Sequence, residues 1–246
     1  MTDKETPKHR PSLRQKILQI AADLIAKPDK IAIERSEDLV EQCKIREYLK
    51  QDGKYLDVGT GLGHIVEEVV NDEDGKNVTF LALDPIWKPL KRLMKLMKKG
   101  YADKALFMKA EGGHLPVKPH SLDGASLFFV MHHIPPEDQE KIMEEIKLVC
   151  KDDATLFLTE DVPENEDEAE RNATWDRRMN FEPKGEKHYY KNNQEWLDYF
   201  DQHGFELVEN IYWDEESPKK KEGLIRHRSY ILKRKSQVKE IVKEGV

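Results

Sequence analysis

Gly59-Thr60-Gly61-Leu62-Gly63 lies two residues beyond an acid, Asp57. Glycines at this spacing let a backbone turn tightly and bring its amides close to a ligand. Asp84 follows about one strand–helix unit later, the distance from which a carboxylate reaches a ribose hydroxyl pair, and Glu111 comes one strand further on. A second group is His132-His133 with Glu160-Asp161. These side chains could take a proton from an oxygen or ammonium acceptor, and the acidic pair could anchor a cation. A third group, Trp175, Met179, His188, Tyr189 and Tyr190, mixes apolar and aromatic residues into a charged stretch, as the wall of a substrate pocket does. No metal site is expected. The two cysteines, Cys43 and Cys150, are far apart, no C-x-x-C or H-x-x-x-H spacing occurs, and adjacent histidines on a loop seldom bind one ion together.

These residues need a scaffold, and the hydrophobic pattern supplies one. Short apolar runs at Tyr55–Val58, Val78–Leu83, Ala105–Met108, Gly124–Met131 and Thr155–Leu158 read as strands. Helical spacing occupies His64–Val70, the stretch from Leu90 to Met97, and Glu137–Val149. Strand–helix alternation predicts an α/β fold, a Rossmann-like, doubly wound, mostly parallel seven-stranded sheet. The last two strands, Phe205–Trp213 and Arg226–Lys233, have no helix between them and should pair antiparallel. Residues 1–40 read as an N-terminal helical extension with a helix from Ser12 to Leu24, and a second helix is expected over Glu37–Leu49. The main domain spans 41–235, interrupted by a lid insertion at 161–192 that carries a helical piece around Ala169–Asn180. Helix Asn193–His203 follows, and 236–246 is a tail.

Spacing bears on the ligand. The dinucleotide fingerprint is G-x-G-x-x-G, whereas this loop is G-x-G-x-G behind Asp57. An acid at that point sits poorly beside a pyrophosphate and well beside a cofactor carrying an ammonium and a sulfonium. The loop resembles motif I of the class I S-adenosylmethionine-dependent methyltransferases, in particular their small-molecule domain 11/25 group. Ala110-Glu111-Gly112-Gly113-His114-Leu115-Pro116 is similar to that family's Gly-Asp-Ala-x-x-Leu-Pro segment, with Ala110 and Glu111 departing from it. Phe128-Phe129-Val130-Met131-His132-His133-Ile134 is similar to its fourth strand and the turn that follows. The resemblance covers about residues 40–235. It implies S-adenosyl-L-methionine bound by Asp57, Gly59, Thr60, Gly61, Gly63, Asp84, Pro85, Ile86, Glu111, Gly112 and Phe128. Of these, Asp84 would take the ribose, Pro85-Ile86 would lie against adenine, and Glu111 with the Gly112 amide would meet the adenine edge.

The expected function is methyl transfer to a small-molecule acceptor. His132, His133, Glu160 and Asp161 are the candidate catalytic groups, and Trp175, Met179, His188 and Tyr189 the candidate substrate contacts. Methylation of RNA or protein, an NAD oxidoreductase and a non-catalytic cofactor-binding module are the competing readings. The glycine spacing opposes the oxidoreductase, and no Asn/Asp-Pro-Pro-Tyr or Pro-Cys motif marks a nucleic-acid enzyme. A net charge of -7 over 246 residues opposes nonspecific nucleic-acid binding. Mean hydropathy is -0.78, and no run approaches a membrane span or a signal peptide, so a cytoplasmic setting is expected.

Overall fold

Leu56 and Val58 of the first strand enter one apolar cluster while Tyr55 enters another, the period of two that a strand buried on both faces requires. The computed structural model describes residues 39–70, 77–86, 103–180, 182–183, 185–216 and 224–235. Within them the strands are β1 (Lys54–Val58), β2 (Thr79–Asp84), β3 (Ala105–Lys109), β4 (Leu122–Phe128), β5 (Cys150–Asp161), β6 (Phe205–Glu216) and β7 (Leu224–Arg234). The helices are α1 (Ile45–Tyr48), α2 (His64–Val70), α3 (Pro136–Val149), α4 (Glu166–Met179) and α5 (Asn193–Gln202). The expected helices over Ser12–Leu24 and Leu90–Met97, and the tail 236–246, lie outside the described residues.

The seven strands form one sheet in the order β3-β2-β1-β4-β5-β7-β6. Neighbours from β3 through β5 are parallel, and β7 runs antiparallel between β5 and β6. The expected fold class is therefore the one found. Winding proceeds outward from β1 through β2 to β3, then restarts on the other side with β4 and β5. The two directions part between β1 and β4, and there an α/β sheet opens a crevice at its strand C-termini. Cluster one fills the face covered by α3 and α5, with Met143, Ile146, Trp196 and Phe200 buried. Cluster two fills the other face, with Leu39, Val40, Val66 and Val69.

Three differences from the sequence reading bear on the site. The single helix over Glu37–Leu49 is interrupted: Lys44 adopts a left-handed conformation (φ 49°, ψ 32°), and α1 starts after it. That break seats Cys43 against the sheet, its Sγ 2.8 Å from Ser229 Oγ, and lets Lys44 pair with Glu209 at 2.7 Å. β4 stops at Phe128 rather than Met131, because Phe129 turns left-handed (φ 57°) and Met131–His133 closes a 3-10 turn. β5 is much longer than its apolar run. Its polar end continues the ladder, Glu160 opposite Arg228 and Asp161 opposite His227.

Candidate functional site

The glycine loop leaves β1 at the switch point. Gly59, Gly61 and Gly63 all take positive φ (70°, 53° and 72°), a run that residues with a Cβ rarely adopt. Gly59 is constrained twice over, since a Cβ there would lie 2.5 Å from Val130 Cγ2. The Gly59 and Thr60 amides both donate to Leu83 O, at 2.9 and 3.0 Å, which pins the loop to the end of β2. Asp84, the last residue of β2, accepts from Gly61 N at 3.0 Å and from Ile86 N at 2.7 Å. Burial raises its pKa, and those two amides oppose the rise.

Asp57 lies buried at the base of the loop, opposite Ser126 in the parallel register, and accepts from Ser126 Oγ at 2.6 Å. Burial pushes its carboxyl up to about 6, against the Ser126 hydroxyl, which favours the anion. Pro85 is exposed and Ile86 is 60% exposed, which presents apolar surface beside Asp84. Glu111 is exposed past β3. A Cβ on Gly112 would lie 3.0 Å from Val58 and 3.1 Å from Ile142, so this segment packs closely against β1 and α3. Phe128 is half-buried beside Thr159 of β5. The positions named from the loop, strand-end and β4 motifs thus lie on or just past the C-terminal ends of β1, β2, β3 and β4, the side of the sheet on which a switch-point crevice opens.

Next to it stands a cluster of histidines. Val130, packed on Gly59, leads into the 3-10 turn, which Gln139 of α3 ties down by donating to Met131 O (2.8 Å) and Ile134 O (2.9 Å). Glu160 accepts from Val130 N (2.9 Å) and Met131 N (2.7 Å) through one oxygen and pairs with His132 Nδ1 through the other. His132 Nε2 lies 3.4 Å from Asp176 of α4, and Tyr190 donates its hydroxyl to the same carboxylate. Burial would lower the His132 pKa, but the flanking Glu160 and Asp176 carboxylates outweigh it and raise the value well above the usual range. Asp176 is likewise taken down to about 2, its burial outweighed by His132. His133 is the opposite case: burial and the neighbouring His132 charge push it down to about 4.

The acidic pair is split by the alternation of β5. Glu160 faces the histidine turn, whereas Asp161 pairs with His227 Nδ1 of β7 at 2.6 Å. Trp175 is half-buried on α4, and the Met179 backbone ends that helix. The His188 side chain is buried beside His133, ring centroids 5.0 Å apart, and the Tyr189 amide donates to His132 O at 2.7 Å. Asp176, Glu182 and Ser126 were missed from the sequence. Their places depend on pairings between distant segments, and no local spacing signals them.

A family model described as a methyltransferase domain matches residues 30–210. No curated protein matches the sequence. Among solved structures, an S-adenosylmethionine-dependent methyltransferase from Methanosarcina mazei superposes with a TM-score of 0.62 at 18% identity, covering 78% of this chain and 96% of its own. One from Aquifex aeolicus gives 0.53 at 20% identity, covering 83% and 97%. The 1,6-didemethyltoxoflavin-N1-methyltransferase of Burkholderia thailandensis, solved with 1,6-didemethyltoxoflavin and S-adenosylhomocysteine bound, gives 0.59 at 12% identity over 94% of each chain. The structures agree in fold, and the family match spans most of the chain. This protein belongs to the methyltransferase-domain family and is a class I S-adenosylmethionine-dependent methyltransferase.

Proposed function

We propose that the acceptor is a small molecule bound beneath α4 and the 182–190 segment. One observation supports this most: the histidine cluster next to the cofactor crevice is roofed, with the His132 side chain only 1% exposed. A metabolite reaches such a covered site more readily than a folded macromolecule does. The net charge of -7 also suits a neutral or cationic metabolite better than a polyanion.

The crevice fits S-adenosylmethionine. Three left-handed glycines keep the loop backbone accessible, and His64 Nε2 at the start of α2 is a buried polar atom without a hydrogen-bond partner. In this reading Asp57 and Gly59, Thr60, Gly61 and Gly63 face the amino-acid end of the cofactor, and Asp84 holds the ribose. Pro85, Ile86, Glu111 and Gly112 surround the adenine, and Phe128 floors the pocket. When bound, the cofactor supplies a methyl made electrophilic by its sulfonium.

The protein then has to position a nucleophile and exclude water. Glu160 hydrogen-bonds His132 Nδ1 and Asp176 forms an ion pair with it, 3.4 Å from Nε2, which together tie α4 to the end of β5. His132 is held in its charged form there and has no free lone pair to accept a proton. Asp161 is committed to His227. His133 keeps a neutral ring, too weak a base to deprotonate a hydroxyl at neutral pH but with a lone pair to offer. Trp175, Met179, His188 and Tyr189 would wall the acceptor. Residues 1–38, most of the expected N-terminal extension, lie outside the described residues.

The test is methyl transfer from labelled cofactor to a metabolite extract, to total RNA and to total protein, run side by side. Label in the small-molecule fraction alone is the expected result. Label confined to RNA or protein overturns the acceptor assignment, and cofactor binding without transfer to any fraction points to a non-catalytic module.

A further inference from the structure

His133 on the 3-10 turn, Glu182 just past α4 and His188 on the segment leading to α5 come together, and we propose that they bind a divalent metal ion of the zinc class. His133 Nδ1 lies 3.2 Å from Glu182 Oε1, and His188 Nε2 lies 3.0 Å from Glu182 Oε2. One donor atom from each residue lies within 4.8 Å of the other two. Ligands of a tetrahedral ion held at about 2.0–2.2 Å stand roughly 3.3–3.5 Å apart, so small side-chain movements close the set.

A second observation is independent of the spacing. The His188 side chain is 1% exposed, yet neither of its ring nitrogens makes a hydrogen bond, and Glu182 Oε2 is buried in the same condition. Buried polar atoms are nearly always partnered, because leaving one bare costs the full desolvation of the group. Two of these atoms, His188 Nε2 and Glu182 Oε2, face each other 3.0 Å apart out of hydrogen-bond alignment, and one cation would satisfy both. Tyr190 stacks on the His188 ring at 5.6 Å with 13° between planes, which fixes the ring's orientation as the outer contacts of metal sites do.

The donor set selects the ion. Two imidazoles and one carboxylate suit zinc or iron(II), whereas magnesium and calcium take oxygen shells. His132 and Asp176 form an overlapping group with His133, but those two face each other as an ion pair, His132 Nε2 3.4 Å from the Asp176 carboxylate. Three protein ligands leave a coordination position for an oxygen, nitrogen or sulfur atom of the acceptor. The site stands on ligand geometry alone, whatever the acceptor proves to be.

The full-length chain without a histidine tag, stripped with a chelator, is titrated with zinc chloride and separately with cobalt(II), read by visible absorption. S-adenosylhomocysteine binding is measured on every sample as an independent check of fold and cofactor site. One equivalent of zinc and a tetrahedral-type cobalt spectrum are expected. Glu182→Gln and His188→Ala should each weaken zinc binding about tenfold or more while S-adenosylhomocysteine binding persists. Zinc uptake by the wild type no greater than by a His133→Ala/His188→Ala double variant overturns the proposal. So does a cobalt spectrum that Glu182→Gln, a near-isosteric change, leaves unaltered. Zinc binding without any methyl transfer would leave this site intact and count against the acceptor reading instead.

Discussion

Asp57 illustrates the tension that a buried carboxylate creates at a binding site. Its folded-state pKa, about 6, stands above the 3.8 of an exposed aspartate. A raised acid favours folding where it is protonated, so the benefit is complete below pH 4 and lost as pH climbs through 6. Above that the anion costs up to about 3 kcal/mol. Asp57→Asn should therefore stabilise the free protein in urea unfolding at pH 7.5 and make little difference at pH 4. A cationic ligand reverses the preference. S-adenosylhomocysteine binding should weaken below pH 6 and release a proton near that pH, which calorimetry in two buffers of different ionisation enthalpy can count. Asp84 plays a different part, because its two oxygens already organise the Gly61 and Ile86 amides. Asp84→Ala removes a charged acceptor and should cost about 1.5–3 kcal/mol of S-adenosylhomocysteine affinity with the fold retained. Unchanged affinity in the variant would mean that the ribose is held elsewhere.

At the level of elements, the contact that matters most is the bridge joining α4 to β5 through His132. Asp176→Asn removes one of its carboxylates and weakens the acceptor for the Tyr190 hydroxyl. Faster proteolysis within 161–192 and lower acceptor turnover should follow, with S-adenosylhomocysteine affinity within a few-fold of wild type. Trp175→Ala should impair turnover in the same selective way. If it abolishes cofactor binding, that indole supports the crevice and does not line an acceptor site. The strands, their alternation with helices and the acids at their ends could all be read from the chain, because each is written in a local pattern: period-two apolarity, glycine spacing, an acid closing a strand. The bridge could not be read that way. His132, Glu160 and Asp176 sit on three elements, and nothing near any one of them announces the other two. The same limit explains the break at Lys44. Its neighbours have good helical spacing, but the Cys43 contact with Ser229 comes from the far end of the chain. Likewise, two histidines in a row gave no metal spacing, since the other two members of the proposed set, Glu182 and His188, come from a later segment.

On the scale of the whole molecule, the excess of acidic over basic residues should keep the protein off polyanions. Filter binding at physiological salt should show no retention of total RNA, and retention that falls steeply with added salt would reopen the nucleic-acid reading. No helix among the described residues is long and apolar enough to cross a membrane. The two halves of the sheet touch at Gly59 and Val130, where glycine leaves room for the valine methyls and the valine amide donates to Glu160. Any shift of the glycine loop on filling must press on Val130, and through it on Glu160, His132 and α4. Such an arrangement imposes a sequence on events. The enzyme should follow an ordered kinetic scheme in which acceptor heat appears in calorimetry only after S-adenosylhomocysteine has been added, and product leaves before the spent cofactor.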